Sequence, residues 1–173
     1  QPEAVSLAIR ELIPDRTFES AAAKFFQWLY QERIAPQWIL YDQDDLEKFK
    51  SFCSRGLIPD ELVHVLLVLG RYQETQQSDP SELEELIPHV DPNWLWSVCA
   101  FGSEEDQCMK RVVVLGGHCR VGFENNLEVA DGRQATSNTE LVEATAQAIK
   151  ASGNIVADAE TARELFKISP RYW

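Results

Sequence analysis

The sequence predicts an α/β protein built from parallel β/α units, with a (β/α)8 barrel favoured over an open doubly wound sheet. Three observations carry that expectation. Strand and helix patterns alternate along the chain, and strands separated by helical crossovers run parallel. The run Leu62–Gly70 is nearly continuous in apolar residues, as expected of a parallel strand buried on both faces. The last strand pattern carries polar side chains on one face, which suits a barrel interior. No G-x-G-x-x-G or P-loop is present to support a nucleotide-binding open sheet.

The elements follow in order. Strands are predicted at Glu3–Ile9, Gln37–Tyr41, Leu62–Gly70, Trp94–Phe101 and His118–Glu124. The first helix, Phe18–Arg33, has Phe25, Trp28 and Leu29 on one face, and Asp44–Ser54 is the second. Ser81–Ile87 is entered through Asp79 as N-cap with Pro80 at the first helical position. Glu104–Val114 precedes the last strand. Thr139–Ser152 opens with a Ser137-x-x-Glu140 capping box and is stopped by Gly153; Ala159–Phe166 is capped by Asp158.

At 173 residues, 45% hydrophobic and 25% charged, the chain is one domain or part of a larger one. A net charge of −12 argues against nucleic acid and anionic membrane surfaces as partners, while a local Arg can still hold a small anion. The longest apolar run, Val65–Leu69, is far short of a membrane span. Cys53, Cys99, Cys108 and Cys119 show no C-x-x-C spacing, and read as reduced core residues of a cytoplasmic protein. The chain opens directly on a strand pattern after Gln1-Pro2, which reads as a domain lacking its N-terminal β/α units, so that residues 1–173 form the carboxyl-terminal part of one domain.

Chemistry concentrates in Gly116–Asn126. Alternation puts His118, Arg120, Gly122 and Glu124 on one face and Cys119, Val121 and Phe123 on the other. A carboxylate at the C-terminal end of a strand sits where α/β barrels keep their chemistry. On an extended strand Arg120 and Glu124 lie roughly 13 Å apart, too far to pair, and His118 lies roughly 20 Å below Glu124. His118 and His64 read as core histidines and His89 as a solvated loop residue. The cluster Asp42-Gln43-Asp44-Asp45 reads as helix capping, and the five Trp as mostly core. A lone Glu124 cannot hold a catalytic zinc, which takes three protein ligands. On pattern alone, function and barrel-interior structure are equally weighted for Arg120 and Glu124.

The segment Leu115-Gly-Gly-His-Cys-Arg-Val-Gly-Phe-Glu-Asn-Asn126 resembles the signature of the β-keto acid cleavage enzymes, the family of 3-keto-5-aminohexanoate cleavage enzyme. The resemblance extends to Pro2–Leu7, Val68–Tyr72, Trp96–Gly102, Asp131-Gly132, Ser137–Val142 and Asp158–Leu165. It implies a TIM barrel of which this chain supplies about strands four to eight. It implies a reaction in which a β-keto acid condenses with acetyl-CoA as co-substrate and the adduct splits into acetoacetate and a new acyl-CoA. It also implies a divalent metal, usually zinc, bound by Glu124 and by an early-strand His-x-His. Arg120 matches an active-site arginine. Asn125 matches a catalytic Asp that assists proton transfer, and Asn cannot serve as a general base.

Two further departures shape the expectations. The second strand, Pro36–Tyr41, has no acid where amino-keto acid enzymes present one to the substrate's ammonium, which predicts a β-keto acid with a neutral or apolar tail. No His-x-His occurs, so two metal ligands are expected from outside this chain, and the chain alone is expected to be inactive. Open strand edges imply pairing with another chain or with missing residues, and a homo-oligomer is expected. The competing readings are a non-catalytic relic or scaffold of the fold, and a class II aldolase-like, phosphate-binding barrel using the Gly70 and Gly102 loops.

Overall fold

A computed structural model describes residues 2–59 and 63–168. Five strands, β1 (Ala4–Ala8), β2 (Ala35–Leu40), β3 (His64–Leu69), β4 (Leu95–Ala100) and β5 (His118–Cys119), hydrogen-bond in chain order. The pairs β1–β2 and β4–β5 are parallel, with Ser6 opposite Gln37 and Ser97 opposite His118. The helices are α1 (Ile9–Leu12), α2 (Glu19–Gln31), α3 (Gln43–Ser54), α4 (Glu82–Leu86), α5 (Glu105–Leu115), α6 (Asn138–Ala151) and α7 (Ala159–Leu165). This is the α/β alternation that the sequence predicts. Among the described residues no helix is long and apolar enough to cross a membrane.

The chain divides into two compact units. One comprises Gln1–Val65, Asp91–Leu95 and Ala157–Trp173, the other Leu66–Val90 and Trp96–Val156. In the first, β2 alternates strictly, with Pro36, Trp38 and Leu40 buried and Ala35, Gln37 and Ile39 half-buried. Trp38 is the hub of its core. Its ring meets Phe26 of α2 edge-on at 4.8 Å and Phe49 of α3 at 5.5 Å, and Phe49 meets Trp94 at 5.1 Å.

Here the predicted helix face is corrected. The buried stripe of α2 is Ala22, Phe26 and Leu29, while Phe25 and Trp28 are exposed and stack on each other at 6.0 Å. Phe26 rather than Phe25 can reach Trp38, and the helix is oriented by that contact. Trp28 therefore departs from the expected core role. Trp38 is fully buried, Trp94 and Trp96 are half-buried, and Trp173 lies outside the described residues.

In the second unit β3 contributes Leu66–Leu69, all buried, which matches its reading as a strand covered on both faces. The predicted start of that strand at Leu62 lies outside the described residues. Helix α5 buries Cys108, Met109 and Val112 and ends on Gly116, whose φ of 86° is the left-handed conformation a C-cap needs. Gly117 serves a different purpose: a Cβ there would lie 2.1 Å from the Trp96 ring.

Asp42 and Asp158 cap as the sequence predicts, whereas α4 starts at Glu82 with Ser81 as its N-cap, two residues after the predicted Asp79. Asp42 accepts from Asp45 N–H at 2.9 Å, and Asp158 accepts from Thr161 N–H at 2.8 Å. Asp79 accepts from Ser81 N–H at 2.8 Å, and Glu82 accepts in return from Asp79 N–H at 2.7 Å. At α6 Ser137 accepts from Glu140 N–H at 3.4 Å, but Glu140 reaches Thr136 N–H, at 2.8 Å, instead of that of Ser137.

The fifth strand is the main correction. It ends at Cys119 rather than Glu124, and the chain then turns. Gly122, at φ 151°, offers its carbonyl to both Asn125 N–H at 2.9 Å and Asn126 N–H at 3.2 Å. A backbone that folds onto its own carbonyl cannot continue a ladder. Alternation from Arg120 onward therefore does not describe this segment.

Candidate functional site

In the second unit the C-terminal ends of the strands are tied together by backbone hydrogen bonds. Phe101 N–H donates to Leu69 C=O at 3.0 Å, Ser78 N–H to Phe101 C=O at 2.8 Å, and Gly102 N–H to Asn125 C=O at 3.0 Å. The turn after β5 is thus fastened to the end of β4. This is the end of a parallel α/β sheet where loops carry function.

Arg120 N–H still bonds Val98 C=O at 2.9 Å, which fixes its Cα beside β4. Cys119 Sγ donates to Met109 C=O of α5 at 3.7 Å, so Cys119 faces the helix, and His118 and Arg120 flank it on the other side. The chain reversal at Gly122 then brings Glu124 back. Its carboxylate forms an ion pair with the Arg120 guanidinium, contrary to the roughly 13 Å separation of an extended strand. The Arg120 side chain is 37% exposed and that of Glu124 69%. The pair is accessible to a solute.

Asn125 and Asn126, next along the turn, are buried. Asn125 meets Cys99, whose thiol burial pushes up to about 11; the Arg120 charge and a hydrogen bond with Asn125 oppose that rise, and Glu124 adds to it. Such a thiol is protonated and inert at neutral pH. His118 is half-buried, and desolvation lowers its pKa, favouring the neutral ring of a structural histidine.

One participant was not legible in the sequence. Glu105, at the start of α5, is only 3% exposed, and Asn126 Nδ2 donates to its Oε2 at 3.1 Å. Burial pushes its carboxyl up to about 7, against the Asn126 amide and the Gly122 N–H. In the sequence Glu104-Glu105-Asp106 looks like the acidic first turn of any helix. Only the packing of a segment twenty residues downstream separates Glu105 from its neighbours.

Gly70 and Gly102 do not form an open cradle. A Cβ on Gly70 would lie 2.7 Å from Ser78 N, and one on Gly102 would lie 2.1 Å from Gln77 Oε1. Gln77 Oε1 also accepts from Ser103 N–H at 3.0 Å. The space these glycines leave is filled by the chain's own 70–78 loop, which disfavours a phosphate there.

In the first unit the acidic run is used for capping, as the sequence indicates. Asp45, buried, accepts from Arg10 Nε at 2.9 Å and from Tyr41 N–H at 3.0 Å. His64 lies 3.2 Å from the Gln37 amide nitrogen and stacks on Phe166 at 4.4 Å. His89 closes a 3-10 turn and is half-buried. All four cysteines are free thiols. Among the described residues no three His, Cys, Asp or Glu side chains cluster as a metal site.

Comparison with known proteins covers nearly the whole chain. Residues 1–168 match the family model described as beta-keto acid cleavage enzyme. The chain is 28% identical over 150 residues to a 3-keto-5-aminohexanoate cleavage enzyme of Fusobacterium nucleatum, covering 87% of this chain and 54% of that protein. It is 28% identical to a 3-dehydrocarnitine:acetyl-CoA trimethylamine transferase of Rhizobium meliloti, covering 80% and 45% respectively. It is 26% identical to a 3-oxoadipate:acetyl-CoA acetyltransferase of Cupriavidus necator, covering 95% and 60%. The chain thus spans about half the length of the curated relatives it matches. With the match running from the first strand through the last helix, the chain belongs to the β-keto acid cleavage enzyme family.

Proposed function

We propose that this chain carries the substrate-facing part of an enzyme that exchanges acyl groups between a β-keto acid and acetyl-CoA, releasing acetoacetate and a new acyl-CoA. The observation that carries the reading is the accessible Arg120–Glu124 pair on the turn after β5, within a segment that resembles the family signature. The acetyl-CoA-linked names of two relatives support the co-substrate. Within that reading the chain supplies about strands four to eight of a TIM barrel, works as a homo-oligomer and is cytoplasmic.

The chemistry follows from the substrate. C2 of a β-keto acid lies between a ketone and a carboxylate and is the acidic carbon. Its carbanion attacks the acetyl-CoA carbonyl and expels CoA as thiolate. The thiolate then attacks the original ketone, and the C2–C3 bond breaks with its electron pair on C2, which takes back a proton to leave acetoacetate and the new thioester. Negative charge builds on substrate oxygens in both steps. A guanidinium fork is suited to hold them, which is the role assigned to Arg120. Asn125, buried next to Glu124 in the chain, donates hydrogen bonds and takes no proton, so it orients substrate and another group removes the C2 proton.

The residues described do not by themselves fit the divalent metal that family membership implies, since among them no three His, Cys, Asp or Glu side chains, Glu124 included, group as a metal site. We infer that Glu124 is one zinc ligand and that the other two are histidines outside this chain. The chain alone then holds no stoichiometric zinc and turns over no substrate.

The test is to incubate full-length protein with acetyl-CoA and a panel of β-keto acids and to follow acetoacetate by mass spectrometry. Acetoacetate that depends on both substrates supports the reading. Its absence across the panel from a zinc-loaded, folded protein overturns it. Elemental analysis of residues 1–173 alone checks the metal assignment, and one zinc per chain would refute it.

A further inference from the structure

Glu105 is an unexpected choice for its position. Its carboxylate is buried at the start of α5, where the Gly122 N–H of the turn lies against it although Oε1 makes no hydrogen bond of normal geometry among the described residues. A buried carboxylate is costly, and a site selected for stability alone is better filled by an apolar side chain. What the carboxylate does hold is the turn. Asn126 Nδ2 donates to Glu105 Oε2 at 3.1 Å and to Glu128 C=O at 2.6 Å, while Asn126 Oδ1 accepts from Glu128 N–H at 2.9 Å. Asn126 closes the 126–128 segment with both ends of its amide and fastens that segment to α5 through the same Nδ2. From the opposite side Asn138 of α6 accepts from Phe123 N–H at 2.8 Å. The exposed Glu124 and the buried Asn125 lie between these two fastenings.

We propose that Glu105 is a positioning residue: acting through Asn126, it fixes the turn that presents Arg120, Glu124 and Asn125 to substrate. The proposal rests on that turn being the site of the reaction proposed above. A displacement of about 1 Å in a substrate-orienting group is enough to cost a hundredfold in rate. Two exposed side chains on a five-residue turn need such an anchor. Glutamine is predicted to replace Glu105, because it has nearly the same shape and its carbonyl oxygen can keep the Asn126 bond.

The experiment compares full-length wild type with Glu105→Ala and Glu105→Gln by hydrogen exchange and by steady-state kinetics. In Glu105→Ala, exchange in 120–128 rises at least tenfold while β4 and the rest of α5 keep wild-type protection. Its kcat falls at least tenfold with KM for acetyl-CoA within twofold, and Glu105→Gln restores both. Asn126→Leu, which breaks the same link from the loop side, reproduces the loosening and covers the case in which Glu105→Ala does not fold. Wild-type exchange in 120–128 of Glu105→Ala, or Glu105→Gln behaving as Glu105→Ala, overturns the positioning role alone. A wild-type protein that forms no acetoacetate overturns the reaction and the positioning role with it.

Discussion

Arg120 and Glu124 form an ion pair across the reversal at Gly122, and both side chains remain open to solvent. An exposed pair of this kind contributes about 0–1 kcal/mol to stability. Its value to the molecule lies in holding two oppositely charged groups ready at one place.

The first prediction concerns that pair. Arg120→Ala and Arg120→Lys leave the denaturant midpoint almost unchanged, within about 0.5 kcal/mol of wild type. Both lower kcat/KM for acetoacetate formation by at least about a hundredfold, because a lysine cannot reproduce the planar fork. Recovery of more than half the activity in Arg120→Lys would show that charge alone suffices.

A second prediction concerns Gly117. Its φ is unremarkable, so the glycine is required by space, with the Trp96 ring where a Cβ would stand. Gly117→Ala is expected to destabilise by about 1–3 kcal/mol. Adding Trp96→Leu should recover part of the loss in a double-mutant cycle read by urea denaturation. Full additivity of the two changes would remove the steric explanation.

The pH dependence of stability carries a third. Burial raises the Glu105 carboxyl to about 7, Asp106 adds to the rise, and the Asn126 and Gly122 donors oppose it. A group whose folded pKa lies above its unfolded value stabilises the fold below the unfolded pKa, and that contribution is lost as pH rises through the folded one. Wild type should therefore lose on the order of 2 kcal/mol between pH 5 and 8 relative to Glu105→Gln, measured by urea denaturation. Parallel pH profiles for the two proteins would contradict the assignment.

The fourth concerns the substrate's tail. Gln37 and Ile39 lie on the less buried side of β2, and the strand carries no acid. Full-length protein should prefer β-keto acids with neutral or apolar tails over the amino-keto acid by at least about tenfold in kcat/KM, since the family resemblance puts the ammonium-pairing acid on this strand and β2 has none. A clear preference for the amino-keto acid would refute this.

Much of the architecture was legible because it is local. Asp42, Ser137 and Asp158 announce helix starts through their own side chains, and the apolar run of β3 states its double burial. What misled was periodicity continued past its cause. Arg120-Val121-Gly122-Phe123 alternates as a strand does, but the neighbouring β4 pairs with only two residues of β5. Gly122 and the Asn125-Asn126 pair were turn signals outweighed by the pattern. The face of α2 was set by Phe26 meeting Trp38, a contact across twelve residues that no helical wheel contains. The chemistry of Glu105 depends wholly on Asn126 folding back to it.

Strand β3 has a consequence for anyone handling the protein. Val65 to Leu69 is five consecutive buried aliphatic residues with no charge, glycine or proline. Once released by heating, such a segment is a template for cross-β stacking with its copies in other molecules. Thermal scans should therefore end in precipitate and give apparent midpoints that shift with heating rate. Lysine on either flank of the run would act as a gatekeeper, slowing aggregation without touching the turn after β5.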